Sequence, residues 1–131
     1  KVNKVSSWHD FAHKAKIHRR KTLDMLNSLN GKKVIGFGSS ARSQTYLNYC
    51  DINIDQMEVI IDNNPLKQGL FAPGSSIPIV NFNQGMSMKP ELIFILAWNF
   101  RDEIVKECRA NEYKGEFLVP FPSEPYHYNG E

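Results

Sequence analysis

No stretch of this sequence stays apolar for the roughly 18 to 20 residues that a bilayer-crossing helix needs, so no membrane span is expected. Cysteine is scarce: Cys50 and Cys108 are the only two. Neither lies in a C-x-x-C pair or at metal-site spacing from histidine, which predicts buried, reduced thiols in a cytoplasmic protein and no metal centre. Internal repeats and low-complexity tracts are also missing. An initiator methionine is absent from the head of the chain, where Lys1 stands, and the expectation is a protein trimmed from something longer. At 131 residues and 41% hydrophobic composition, the chain has material for one core and none for a second full domain.

The net charge of +2 hides an asymmetry. Residues 1–33 carry nine Lys/Arg against two acids, leaving seven bases against twelve acids in the remainder. Lys14, Lys16, Arg19, Arg20 and Lys21 read as the solvated face of an amphipathic helix. No interleaved aromatics or nucleic-acid module accompany them, so nucleic acid is not expected as a partner. Apolar positions Trp8, Phe11, Ala12, Ala15, Thr22, Leu26 and Leu29 predict one long helix from Ser7 to Leu29, with Ser6 or Ser7 as its cap and Asn30-Gly31 as its stop. His9, His13 and His18 fall near helical spacing, but no acid or cysteine completes a ligand set, and exposed histidines are expected.

The most informative stretch is Lys33-Val34-Ile35-Gly36-Phe37-Gly38-Ser39-Ser40-Ala41-Arg42. A β-branched strand enters it, a helix over residues 40–49 leaves it, and G-x-G-x-x-A lies between, a variant of the dinucleotide-binding turn. Backbone N–H groups at such a helix start have no intrahelical acceptor and sit at the positive end of the helix dipole, which suits a phosphate. Gly36, Gly38, Ser39 and Ser40 form the turn. Arg42 is the expected phosphate partner through paired hydrogen bonds, and Gln44 lies beside it. Ala41, Thr45, Leu47 and Tyr49 are expected to pack on the sheet.

Residues 57–62 read as a buried second strand ending in Asp62, which stands 24 residues after Gly38, near the spacing at which an acid meets a ribose. Asp62 could equally cap the Asn63-Asn64-Pro65 turn. A long loop follows over residues 63–74 and puts Lys67 near the crevice; Ile77-Pro78-Ile79-Val80 is a short strand pushed to an edge by its proline. Leu92 to Ala97 is the expected central parallel strand. Trp98 and Asn99 then stand at its carboxyl end, where open α/β sheets bind ligands, and Asn99 is expected to cap a helix over residues 100–111. Residues 115–119 form a last strand, and residues 126–131 are a tail without an evident partner. The fold class expected is α/β: a Rossmann-like three-layer sandwich with a mainly parallel sheet, preceded by a long helix (residues 1–31, then a core over 32–122 and a tail over 123–131).

Four ordered blocks, GFGSSARSQTYLNYC, VIIDNNPLKQGLFAPGSSIPI, ELIFILAWNFRDEI and GEFLVPFP, make the chain resemble the C-terminal domain of the sugar C-methyltransferases, which methylate a carbon of a nucleotide-linked deoxysugar. The resemblance implies a single Rossmann-like C-terminal domain. An S-adenosylmethionine domain, a small zinc-binding module and a His-Gly-Gly segment associated with catalysis would lie ahead of this sequence. It also implies a surface for a nucleotide sugar, with thymidine diphosphate as its carrier, around Gly36, Gly38, Ser39, Arg42, Asp62 and Lys67, facing the methyl-donor domain. Where the family often has Ala and Lys, this chain has Ser39 and Arg42, which keeps size and charge but changes donor geometry.

The expected role is therefore binding and orientation of the sugar nucleotide, with no catalytic residue in this chain and no turnover by it alone. S-adenosylmethionine serves the full-length enzyme, bound mainly outside this region. Two other readings are a stand-alone NAD-like nucleotide module and a degenerate Rossmann scaffold. The position of Asp62 separates them: facing a ribose favours dinucleotide binding, and a tie to the following turn counts against it.

Overall fold

The computed structural model describes residues 4–29, 31–122 and 124–129, with backbone only for residues 4–9. The long helix α1 spans Lys4–Asn27. It is already helical ahead of Ser6 and Ser7, so neither begins it; the side chains of Trp8 and His9, and Asn30 of the predicted stop, lie outside the described residues. Gly31 does turn the chain with φ of 87°, a conformation that glycine adopts without strain.

Strand β1 (Val34–Phe37) leads into helix α2 (Ala41–Tyr49), then β2 (Ile60–Ile61), β3 (Ile79–Val80), helix α3 (Phe82–Ser87), β4 (Leu92–Ile95), a 3₁₀ turn at Trp98–Phe100, helix α4 (Arg101–Ala110), β5 (Glu116–Val119) and β6 (Tyr126–Tyr128). The sheet order is β3-β2-β1-β4-β5-β6, parallel throughout except for the antiparallel β6. Successive side chains of β1 and β4 point to opposite faces, yet all eight residues are buried, as a sheet covered on both sides requires. Val34, Leu92 and Phe94 pack with Leu26 of α1 and Leu47 of α2. Ile35, Phe37, Ile93 and Ile95 pack with Ile104, Val105 and Cys108 of α4 and with Phe82 and Met86 of α3. These two cores make the three-layer α/β sandwich that the sequence predicted.

Several local expectations change. Residues 126–128 are an edge strand, held where the Arg101 guanidinium lies 4.2 Å from the Tyr128 ring centroid and donates to the Tyr126 hydroxyl at 2.9 Å. Helix α3 was not anticipated, although Asn81 and Gln84 form a reciprocal capping box. On α2 the buried positions are Ser43 and Leu47, while Ala41, Thr45 and Tyr49 face outward. Phe11, assigned to the apolar face of α1, is 64% exposed. The loop over residues 63–74 is partly built: Ile79 N–H donates to Leu70 O, Gly69 N–H to Ile79 O and Ala72 N–H to Ile77 O, so its second half folds back along β3.

Candidate functional site

Gly36 and Gly38 are glycines because the sheet leaves no room for a side chain. A Cβ on Gly36 would stand 2.6 Å from Met57 Sδ, and one on Gly38 would stand 2.6 Å from Ala97 Cβ, with φ of 104° at Gly38. The glycine turn is thus first a packing device that brings the carboxyl ends of β1 and β4 together. Chain order reverses between these two strands, and such switch points open a crevice at the carboxyl edge. A cleft of about 410 Å³ lies there, lined among others by Gly38, Ser39, Ser40, Asp62, Lys67 and Ala97.

Ser39 is the hub of its wall. Its N–H donates to Asp62 Oδ2 at 2.9 Å, its carbonyl accepts from Lys67 Nζ at 2.6 Å, and its hydroxyl accepts from Gln44 Nε2 at 2.8 Å. The other Asp62 oxygen, Oδ1, accepts the Asn64 N–H at 2.8 Å. Both carboxylate oxygens therefore bind backbone, one across to the glycine turn and one in the Asn63 to Pro65 turn. By the criterion set from the sequence, this counts against a dinucleotide ribose at Asp62. Among the described residues, the buried Gln44 Oε1 has no hydrogen-bond partner.

Ser40 caps α2 by accepting the Ser43 N–H, which leaves the first N–H groups of the helix, at Ala41 and Arg42, without intrahelical acceptors. Arg42 is exposed and makes no hydrogen bond or ion pair among the described residues. The opposite wall was not foreseen: Glu103 and Glu107, one turn apart on α4, line the cleft with Phe100 and Ile104. Their i,i+4 spacing beside the buried Ile104 was the available signal. Trp98 instead approaches Phe121, with ring centroids 5.8 Å apart, and neither it nor Asn99 lines the cleft. Asn99 lies inside the 3₁₀ turn, so Phe100 stands at the start of α4 with no side-chain cap. Gly36 lies in β1, beneath the turn.

A polar cluster on the other face joins α1 to α2. The Tyr46 hydroxyl meets Thr22 Oγ1 at 2.8 Å and His18 Nε2 at 2.9 Å, and the His18 ring stacks on Phe121 at 4.6 Å. Burial pushes the Tyr46 hydroxyl well above its ordinary pKa, keeping it a neutral phenol. His18 is thus a half-buried structural residue and not an exposed one. Among the described residues no three His, Cys, Asp or Glu side chains gather as metal ligands would, and no helix is long and apolar enough to cross a membrane.

Strand order, glycine turn and edge cleft together define a Rossmann-like α/β domain. Comparison with known proteins narrows this: the model of the C-methyltransferase C-terminal domain matches residues 1–122. The chain belongs to that family. It is similar to the C-methyltransferase NovU of Streptomyces niveus, with 35% identity over 94 residues that make up 71% of this chain and 22% of that protein. The chain thus spans about a fifth of the length of this curated relative.

Proposed function

We propose that this chain is the C-terminal domain of an S-adenosylmethionine-dependent C-methyltransferase acting on a nucleotide-linked deoxysugar, where it holds and orients the sugar nucleotide. The observation that carries the reading is the cleft at the β1/β4 switch point, whose lining includes Ser40, the cap of α2, with Arg42 two residues further along that helix. The charges divide the labour. Asp62, Glu103 and Glu107 against Lys67 make the cleft itself a poor seat for a phosphate, and the Glu103 and Glu107 carboxylates are good acceptors of sugar hydroxyls. The diphosphate belongs outside it, on the α2 N–H groups and the Arg42 guanidinium. S-adenosylmethionine does not fit this cleft, because Asp62, the acid best placed for its ribose, is committed to Ser39 and Asn64. The methyl donor is assigned to the rest of the enzyme, as is the base that removes the proton beside the sugar carbonyl. Orientation alone can contribute several kcal/mol to a barrier.

A ligand-observed titration with thymidine diphosphate, with NAD and S-adenosylmethionine alongside, tests this. Thymidine diphosphate is expected to bind, and Arg42→Ala to weaken it about tenfold, as loss of one charge-assisted phosphate contact implies. Preference for NAD, or indifference to Arg42→Ala, refutes the assignment. A methyl-transfer assay on this chain alone is expected to show no turnover.

A further inference from the structure

A second cavity of about 660 Å³ lies away from the cleft, between α1, α2 and the segment after β5. Its walls are apolar and aromatic: Ile17 and Phe11 from α1, Tyr46 and Tyr49 from α2, then Phe121 and Pro122. Ile17 is 41% and Tyr49 45% exposed, a clustering of large apolar side chains that domains do not leave in water without use. Its polar groups are already satisfied. Lys21 pairs with Glu124, Lys14 with Asp10, and the Tyr46 hydroxyl with His18 and Thr22. Recognition there rests on shape and apolar area, which suits a protein face better than a polar metabolite.

We infer that this groove is the docking seat of the remainder of the methyltransferase polypeptide. The inference rests on the family reading above. The matched region makes up 22% of the curated relative, so most of such an enzyme lies outside the part that aligns here and is available to cover an apolar face of this domain. Charge supports the choice. Between Lys4 and Asn27 the sequence has six Lys/Arg and two Asp, so the groove is set in a basic helix and calls for an apolar projection flanked by carboxylates. The groove opens on the α1–α2 side of the sheet, whereas Glu103 and Glu107 of the cleft come from α4 on the other side.

The test is thiol labelling of the full-length enzyme carrying Ile17→Cys or Tyr49→Cys, with Asn83→Cys on the exposed side of α3 as reference and readout by mass spectrometry of the tryptic peptides. Both positions are expected to alkylate at least about tenfold more slowly than the reference, at every protein concentration. Labelling as fast as the reference overturns the inference. Protection that disappears on dilution also overturns it, because a second copy of the chain then covers the groove. Two positions keep the test open if one variant fails to fold. An uncovered groove with intact thymidine diphosphate binding defeats this inference alone, and a covered groove without nucleotide binding defeats the site reading alone.

Discussion

Replacing Asp62 with alanine should damage the fold before it damages any ribose contact. The carboxylate holds the Ser39 N–H at 2.9 Å and the Asn64 N–H at 2.8 Å, fastening the glycine turn to the loop after β2. Hydrogen bonds to a charged acceptor contribute about 1.5 to 3 kcal/mol each, and the lower end applies where water can reach the freed donor, as at Asn64. The expected loss for Asp62→Ala is about 3 to 4.5 kcal/mol, a fall in Tm of roughly 15 °C for a chain of this size. Asp62→Asn keeps one carbonyl oxygen and should lose about half as much. Urea denaturation followed by circular dichroism measures both, with the slope unchanged because the surface exposed on unfolding is unchanged. If Asp62→Ala lies within about 0.5 kcal/mol of the parent, the carboxylate is not a structural clamp, and its assignment away from the ligand fails.

Two further perturbations address the floor of the cleft and the core. Gly38→Ala combines a φ of 104° with a Cβ placed 2.6 Å from Ala97 Cβ and is expected to cost about 2 to 4 kcal/mol; adding Ala97→Gly should relieve the contact but not the backbone strain, a partial rescue visible in a double-mutant cycle. Burial disfavours the thiolate and pushes Cys50 up to about 11 and Cys108 up to about 12 from an ordinary 9.0. The fold therefore retains both protons where the unfolded chain releases them. Stability should be full below about pH 9 and decline above it, by about 1.4 kcal/mol per pH unit for each thiol. Denaturation midpoints between pH 8 and 11 check this: Cys50→Ala with Cys108→Ala should flatten the decline, and an unchanged slope would refute it.

What the chain revealed of itself follows the strength of each local signal. The β1 turn, the buried run of β4 and the amphipathic α4 were legible because glycine spacing, a continuous apolar stretch and a helical stripe each admit few alternatives. Helix α3 was legible in principle from Asn81 and Gln84 but carries no long apolar period. Its Gly85 faces Ile61, where a Cβ would lie 2.3 Å from Ile61 Cγ1. Strand β6 could not be found from its own residues, since Arg101, the arginine that holds it, comes from α4. Ser43 hid the true buried face of α2, because a serine counts as polar until Ser40 Oγ is seen 3.0 Å from its hydroxyl. At the site, Gly38, Ser39, Ser40, Asp62 and Lys67 were foreseen as neighbours, and the cleft unites them. Glu103 and Glu107 were not, because only the packing of α4 on the sheet brings them across the switch point.

The two margins of the sheet carry a consequence for how the molecule can be built upon. At one side the returning chain over residues 69–72 already occupies the outer peptide groups of β3; at the other, β6 is three residues long and has Arg101 stacked on Tyr128. The first margin has its outer peptide groups taken and the second is short, two of the devices by which a sheet edge resists copying by a foreign strand. Enlargement by adding strands is disfavoured at both margins, and growth of the architecture is easier by laying whole surfaces together.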